Sequence, residues 1–480
     1  MLRAPRFRFD ARPRRRRGVT HPRGATALVR RATLLAAAAL LAGCASVGVI
    51  DNQPLKPAAE QAGYTLDNFV RNLDPRSDEL SLALAFSGGG TRAAALAYGV
   101  MRELRDTRVV LNGQERSLLE AVNVISSVSG GSFTSAYYGL YGQRLFDDFE
   151  SRFLRRNIEG ALLRSLFNPL QWFSSHDRTE TAVSYYQQNL FGEATFADLI
   201  RKDSPLILIN TSDLASGERF TFTQEYFDLL CSDLGSFSLA RAVTASSAVP
   251  VVFDPVVVEN FSGCARRAPA WLTAARKGEA DDPNRSMILR GNTSYQDRTR
   301  HRYAQFVDGG ITDNLGLRAL LDMIELVGGA RQYQQAMGVS VPRRIAFISV
   351  NAAADTPLGI GATARAPSIG DTLNAVTNIQ LHRYNVATLE QMQQSVQAWA
   401  QQLSTPERAV SPYFIRLSFE SVPDGPLRRF LNEIPTSFAL SDEQVDRLID
   451  TGRTLLRENP DFQRLVRSLG GSVPAKPPAR

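Results

Sequence analysis

Histidine and cysteine are scarce in this sequence. Its 480 residues include four histidines and three cysteines. The histidines stand far apart, at positions 21, 176, 301 and 382, and the cysteines are equally scattered. A protein metal site needs several such ligands in a recognisable spacing. The sequence therefore predicts no metal site and argues against metal-dependent hydrolysis.

Signatures of phosphate binding and of nucleic-acid binding are also missing. No Gly-Lys-Ser or Gly-Lys-Thr follows a glycine-rich turn, which excludes a P-loop. The formal net charge is +7, but residues 1–43 alone hold eleven arginines and one aspartate, a net charge of +10. Taking +10 from +7 leaves −3 for the rest of the chain. The basic character belongs to the first segment, so we expect no nucleic-acid partner.

Residues 1–43 have the layout of a secretory signal peptide. An arginine-rich start precedes a mostly apolar run over 32–41, which is too short to span a bilayer as a mature helix. Leu41-Ala42-Gly43-Cys44 resembles the bacterial lipobox, whose cysteine becomes the lipidated first residue of a lipoprotein. We therefore expect an exported lipoprotein that faces the periplasm and is held on a membrane surface by Cys44. In that resemblance, Ala45 favours the outer membrane.

Two features of this segment leave alternatives open. Cys44 is either the lipidated residue or an incidental cysteine after an ordinary signal peptide. The arginine-rich start is long, so either Arg30-Arg31 belongs to a twin-arginine-like signal or the true start lies downstream of Met1.

Cys231 and Cys264 are the two remaining cysteines. In an exported protein they can form a disulfide, which would stabilise the fold by roughly 3–4 kcal/mol. The alternative is a pair of free, buried thiols.

Composition divides the rest of the chain into segments. Residues 44–79 carry prolines and no apolar period, which predicts a tether, and residues 471–480 are predicted to be disordered. Between them we expect a main α/β domain over 80–355 and a mainly helical part over 356–470 packed on it. Two insertions are predicted in the main domain, at about 151–195 and 260–302. The first contains an apolar stretch, 162–173, which is either a lid that meets lipid or a contact with the core.

Strand-turn-helix units dominate the main domain. The apolar run Leu82-Ala83-Leu84-Ala85-Phe86 leads into a glycine-rich turn, after which residues 93–104 are rich in helix formers. The same order returns at 122–125, the turn around Ser129 and the segment to Tyr141. Successive units of this kind predict parallel strands with right-handed crossovers. We expect a three-layer α/β/α sandwich with a mostly parallel central sheet, helical insertions and a helical C-terminal region.

Ser129 is the candidate nucleophile. It lies in Ser126-Ser127-Val128-Ser129-Gly130-Gly131, at the apex of a strand-to-helix turn that exposes a hydroxyl. A serine needs a base to take its proton, and the resulting oxyanion needs hydrogen-bond donors. Consecutive backbone N–H groups of Gly88, Gly89 and Gly90, at another helix N-terminus, are suited to an oxyanion hole.

The sequence identifies the base less directly than it identifies the nucleophile. A Ser-Asp-His order would require His382, which nothing local distinguishes from an ordinary surface histidine on a helix. Asp308 ends a strand-like segment and begins Asp308-Gly309-Gly310. A carboxylate there can hydrogen-bond directly to a serine, and partial burial would raise its basicity.

Four sequence blocks, taken in order over residues 80–320, resemble the patatin-like phospholipase family. They are Phe86-Ser87-Gly88-Gly89-Gly90-Thr91-Arg92, Ser127-Val128-Ser129-Gly130-Gly131, Ala245-Ser246-Ser247-Ala248-Val249-Pro250 and Asp308-Gly309-Gly310. The chain departs from the family's G-x-S-x-G elbow at its first glycine, which is Ser127 here.

This resemblance implies a fold and a mechanism. It implies a patatin-like catalytic domain with a Ser129–Asp308 dyad, an oxyanion hole of Gly88 to Gly90, and support from Arg92, Gly131 and Gly310. The expected activity is hydrolysis of a membrane lipid or lipid-like ester, without a metal or an organic cofactor. Whether the substrate is a phospholipid, a lysophospholipid, a neutral lipid or a short ester stays open.

Two other function classes compete with this expectation. The glycine-rich turn also fits a loose dinucleotide-binding pattern, but the acidic residue expected after a second strand is missing. A lipid-anchored adaptor that kept the fold without activity is the non-enzymatic alternative. Such a protein would be expected to have lost the serine, the aspartate or the glycines, and this chain retains all of them.

Overall fold

The computed structural model describes residues 48–55, 63–71, 78–160, 178–201, 204–250, 252–262, 264, 270–276, 282–354, 359–362 and 364–474. Two predictions lie wholly outside these ranges: the signal peptide with the lipidated cysteine, and the apolar stretch 162–173. Of the tail predicted to be disordered, 471–480, the structure describes residues 471–474, where the Ser472 N–H donates to the Arg108 carbonyl at 3.3 Å. Within the described residues, no helix combines the length and the hydrophobicity that a bilayer-spanning helix requires.

The strands of the described residues are β1 (Gln53–Pro54), β2 (Ser81–Phe86), β3 (Arg108–Leu111), β4 (Gln114–Ser117), β5 (Val122–Val128), β6 (Leu206–Asp213), β7 (Arg219–Thr221), β8 (Ser232–Asp233), β9 (Val256–Glu259), β10 (Tyr303–Asp308), β11 (Arg344–Asn351) and β12 (Ser411–Ser418).

The helices are α1 (Leu66–Arg71), α2 (Gly90–Asp106), α3 (Gly130–Tyr141), α4 (Leu145–Phe149), α5 (Arg178–Tyr186), α6 (Gln224–Phe227), α7 (Leu239–Ser246), α8 (Ala270–Ala275), α9 (Pro283–Ser294), α10 (Gly310–Asp313), α11 (Leu317–Glu325), α12 (Ala330–Met337), α13 (Ile369–Leu403), α14 (Pro426–Glu433), α15 (Asp442–Glu458) and α16 (Pro460–Ser468). Short 3₁₀ segments span Leu118–Ala121, Gly142–Arg144, Phe196–Leu199, Asp228–Leu230, Gly359–Ala362 and Phe419–Ser421, and π segments span Glu150–Leu154 and Gln187–Phe191.

The central sheet has the order β12-β11-β2-β5-β6-β10-β9, and β7 also pairs with β6. The pairs from β12 through to β6 are parallel, whereas β10 runs antiparallel to both β6 and β9. Strands β2 and β5 are almost wholly buried, as expected for apolar strands covered on both faces. The predicted α/β sandwich with a mostly parallel sheet and helical additions is confirmed.

The strand register brings the predicted site residues to one edge of the sheet. Phe86, which precedes the glycine-rich turn, pairs with Ser127. On the other side of β5, Val128 pairs with Asn210, and Asp308 pairs with the following residue, Thr211. Residue 129 therefore leaves β5 at the level where β10 ends, with only β6 between the two strands.

Helix α15 packs closely against α2, the helix that begins at the glycine-rich turn. A Cβ atom at Gly99 or at Gly452 would clash with the backbone of the opposite helix. The fully buried Glu103 accepts hydrogen bonds from Arg457 Nε at 2.7 Å and Arg453 Nε at 3.1 Å. Removing one partner from such a buried pair costs about 3–5 kcal/mol. The C-terminal part is thus fixed to a helix of the main domain.

Defined structure is found in the predicted tether, in the second predicted insertion and at the cysteine pair. Within the predicted tether, Gln53–Pro54 pairs with β8, and the Tyr64 hydroxyl donates to the Ile207 carbonyl at 3.1 Å. The second predicted insertion contains helices α8 and α9, and the N-cap of α9 is Asp282 followed by proline. Cys231 and Cys264 form a disulfide, one of the two alternatives that the sequence left open.

Candidate active site

Ser129 occupies a strained turn between β5 and α3. Its backbone has φ 49° and ψ −122°, a combination that non-glycine residues rarely adopt. The Ser129 N–H donates to Ser246 Oγ at 2.9 Å, and Ser246 in turn donates to the Asn210 carbonyl at 2.6 Å. These contacts from α7 and β6 hold the turn in place. A serine kept in this conformation presents its hydroxyl away from the sheet.

The two glycines after Ser129 are required by space. A Cβ atom at Gly130 would clash with the Gly90 carbonyl, and one at Gly131 would lie 2.8 Å from Phe86 Cβ. The nucleophile turn and the glycine-rich turn are therefore in direct backbone contact. Gly131 supports the site through this close packing.

Ser127 fits where the family pattern has glycine. It lies in β5 and is not among the non-glycine residues with positive φ in the described chain, which are Asn112, Ser129 and Cys231. Its hydroxyl lies 2.6 Å from Ser135 Oγ and donates to the Leu208 carbonyl at 3.2 Å. The position needs no glycine because its backbone is extended and its side chain has hydrogen-bond partners.

Asp308 ends β10 beside Ser129. Its Oδ1 accepts the Gly310 N–H at 2.7 Å, so Gly310 orients the carboxylate. Burial raises the pKa of Asp308 to about 6, and the side-chain hydrogen bond with Ser129 and the Gly310 N–H oppose that rise. A carboxylate with this pKa is ionised at neutral pH and is more basic than an exposed aspartate. The two predicted dyad residues are thus neighbours whose side chains interact.

The glycine-rich turn places two amides at the site. Gly89 has φ 135° and Gly90 has φ 60°, both in the region that favours glycine. The Gly88 N–H already donates to the Asn314 carbonyl at 3.0 Å. Of the three predicted oxyanion-hole glycines, Gly89 and Gly90 are therefore the two whose amides are suited to a substrate oxygen.

Arg92 links this turn to the C-terminal part of the chain. Its guanidinium donates to the Ala352 carbonyl at 2.9 Å, the Ile434 carbonyl at 2.5 Å and Thr436 Oγ1 at 3.0 Å. Desolvation lowers the pKa of Arg92 to about 10, which leaves it charged. The Thr91 N–H also donates to the Ser437 carbonyl at 3.0 Å. We call residues 434–437 the clamp loop, since they hold the glycine-rich turn in position.

A cleft of about 1590 Å³ opens over these groups. Ser129, Asp308 and the three glycines line it, together with residues of α9, α13 and the clamp loop. Part of the cleft wall therefore comes from the C-terminal part of the chain. The arrangement combines a serine, a carboxylate of raised pKa and the Gly89 and Gly90 amides along one large cleft.

The sequence of this region matches a known family over residues 84–321, that of patatin-like phospholipases. The chain belongs to the patatin-like phospholipase family. The match begins in β2 and ends in α11, so it includes every block on which the resemblance was based.

Solved structures of two proteins show a low similarity to this chain. Human GIVD cytosolic phospholipase A2 is 13% identical with a TM-score of 0.43, over 89% of this chain and 66% of that one. The complex of that enzyme with methyl gamma-linolenyl fluorophosphonate is 13% identical with a TM-score of 0.40, over 84% of this chain and 61% of that one. VipD from Legionella pneumophila is 13% identical with a TM-score of 0.33, over 82% of this chain and 67% of that one. This chain thus spans 61% to 66% of the length of the human chains. No curated protein matches it.

Three residues of this patatin-like site were missed by sequence reasoning. Asn314 accepts the Gly88 N–H, and its Oδ1 lies 2.8 Å from where a Gly88 Cβ would be. Ser246 holds the nucleophile turn, and Thr436 binds Arg92. Ser246 lies within the family-like block over 245–250, and that block was the signal that could have identified it. Asn314 and Thr436 have no motif around them.

His382 lies on α13 and lines the cleft. In the part of the chain that the structure describes, the polar groups that act on the Asp308 carboxylate are Ser129 and the Gly310 N–H, and His382 is not among them. The geometry therefore gives no support to a Ser-Asp-His order. Ser126, the other serine before the apex, is buried and donates to the Gly316 carbonyl at 2.5 Å, which is a structural role.

Proposed function

We propose that the protein is a lipid acyl hydrolase that uses a Ser129–Asp308 dyad. The observation that carries this proposal is a serine on a strained turn whose side chain interacts with a buried carboxylate of raised pKa. Both lie in the cleft beside the amides of Gly89 and Gly90. Membership of the patatin-like phospholipase family supports a lipid as the substrate.

The acylation step follows from this geometry. Asp308 takes the proton of Ser129 as Oγ attacks the ester carbonyl carbon. The carbonyl oxygen becomes an oxyanion and accepts hydrogen bonds from the Gly89 and Gly90 amides, which are fixed before the substrate arrives. When the tetrahedral intermediate collapses, the bond to the leaving oxygen breaks. Asp308 returns its proton to that oxygen, which leaves as an alcohol.

Deacylation repeats these roles with water. Asp308 takes a proton from a water molecule, whose oxygen attacks the carbonyl carbon of the Ser129 ester. The second tetrahedral intermediate collapses to a carboxylic acid, and the proton held by Asp308 returns to Ser129 Oγ. No other residue needs to titrate in either half of the reaction. A pKa of about 6 suits a group that must both accept and donate a proton near neutral pH.

We also propose that Cys44 is lipidated and holds the protein on the periplasmic face of a bacterial membrane, with the outer membrane favoured. The lipobox-like sequence Leu41-Ala42-Gly43-Cys44 supports this. Loss of membrane association in Cys44→Ser cells, measured by fractionation, is the expected result. A Cys44→Ser protein that carries no lipid yet stays with the membrane fraction as the wild type does would contradict the proposed anchor.

A substrate panel on purified protein tests the catalytic proposal. Phospholipid, lysophospholipid, neutral lipid and short-chain ester are offered to the wild type, Ser129→Ala and Asp308→Asn. Each single substitution is expected to lower kcat by at least 10³-fold, as typically seen when a catalytic nucleophile or base is removed. If both variants hydrolyse the substrates at the wild-type rate, the dyad is wrong. If no ester is hydrolysed but lipid is bound equally by all three proteins, the adaptor alternative is favoured.

A further inference from the structure

Exposed apolar side chains gather around the active-site cleft. Six of them line it while being 39% to 54% exposed, namely Val249, Val252, Met287, Ile311, Val376 and Ile379. We call these six residues the apolar rim. They come from four separate parts of the chain: the turn after α7, helix α9, helix α10 and the first half of α13. Isolated surface apolar residues need no explanation, but convergence on one opening indicates an interaction surface.

Helix α13 extends this surface away from the cleft. Val386 is 56% exposed. It lies on the same stripe of the helix as Val376 and Ile379, because residues three, seven and ten positions apart lie on one side of an α-helix. Arg383, also exposed, lies on that stripe. A helix with an exposed apolar stripe and a basic residue is typical of segments that lie in a membrane interface.

The position of the rim limits what can occupy it. A protein partner, a second copy or another segment of this chain resting on the rim would cover the opening that leads to Ser129. A lipid surface would bury the same side chains and also deliver substrate into the cleft. We propose that the apolar rim docks the protein on a lipid bilayer, so that an acyl ester passes from the bilayer into the cleft. This inference rests on the proposed lipid acyl hydrolase function.

A fluorescent label on the rim tests docking separately from catalysis. The full chain carries Cys44→Ser, Ser129→Ala and Ile379→Cys, with an environment-sensitive dye at position 379. The matched control carries Ile200→Cys in place of Ile379→Cys. Ile200 is 48% exposed and does not line the cleft. On adding vesicles of phosphatidylethanolamine and phosphatidylglycerol, we expect a blue shift and protection from an aqueous quencher at 379 alone.

The other outcomes overturn the proposal. No change at 379, or an equal change at 200, would show that the rim is not the docking surface. A shift without lipid that grows with protein concentration would identify a second copy as the occupant. Protection from the quencher without lipid at every concentration would identify a segment of the same chain. Because Ser129→Ala is present throughout, none of these readings depends on turnover.

A comparison of vesicle hydrolysis with short-ester hydrolysis tests whether docking contributes to activity. In an otherwise active chain, Val376→Ser with Ile379→Ser is expected to lower the ratio of the vesicle rate to the monomeric short-ester rate by roughly tenfold. Ile200→Ser should leave that ratio unchanged. An unchanged ratio in the rim variant would refute the link. If the wild type hydrolyses neither substrate while the label at 379 still enters lipid, the catalytic proposal fails and the docking proposal stands.

Discussion

Replacing Asp308 by asparagine is expected to stabilise the fold at neutral pH while it stops turnover. Burial raises the pKa of this carboxyl from 3.8 to about 6 in the folded chain. The folded chain therefore holds the proton more tightly than the unfolded chain, and stability falls as the pH rises from about 3.8 to about 6. By pH 7 the accumulated loss is roughly 3 kcal/mol.

Asparagine removes the buried charge but keeps an oxygen that can accept the Gly310 N–H. The free energy of unfolding of Asp308→Asn should exceed that of the wild type by up to about 3 kcal/mol at pH 7. The difference should disappear below about pH 4, where the wild-type carboxyl is protonated in both states. Denaturant unfolding at the two pH values measures this directly.

Asp313 provides a matched control. It is buried five residues further on, burial raises its pKa to about 6 as well, and it does not line the cleft. Asp313→Asn should also gain stability at pH 7, yet retain turnover. An Asp308→Asn protein that is less stable than the wild type at pH 7 would refute the reasoning, since desolvation of the carboxylate could then not dominate at this position.

Three further predictions concern the site. Because Asp308 must be ionised to act as a base, kcat/KM should fall about tenfold per pH unit below about pH 6; an acid limb near pH 4 instead would contradict the raised pKa. Gly130→Ala should abolish turnover by forcing the two turns apart, at a cost of about 1–3 kcal/mol in unfolding free energy, while Gly361→Ala, in open space, should be neutral. Thr436→Val should lower kcat more than it raises KM, because Arg92 loses an acceptor worth about 1–3 kcal/mol, and Thr436→Ser should restore the rate. Equal kcat in the valine variant and the wild type would rule out the clamp loop as a determinant of the oxyanion site.

The sequence was informative where local pattern and function coincide. Ser129 and Asp308 are each marked by a strand that ends in small residues, and the sheet register brings these two ends together. The glycine-rich turn was predicted for the same reason. Its division into one occupied amide, that of Gly88, and two available ones depends on Asn314, which no local pattern marks.

Long-range contacts account for what the sequence did not predict. Thr436 meets Arg92 across 344 positions, and a polar residue in a loop gives no sign of such a partner. From the sequence, Ser127 was a departure from the family pattern, which has glycine at that position. The structure removes the difficulty through Ser135 and the Leu208 carbonyl, partners that depend on α3 and β6 packing on β5.

The position of β11 in the sheet determines where the chain can be cut in a truncation or a fusion. The family match ends at residue 321, but β11 pairs with β2 from Ser81 to Phe86, directly before the glycine-rich turn. A protein cut at residue 321 would leave β2 as an open sheet edge, which invites pairing with other chains, and would lose the clamp loop as well. The smallest piece expected to work in a fusion or a truncation series therefore ends after α15, not where the family signature ends.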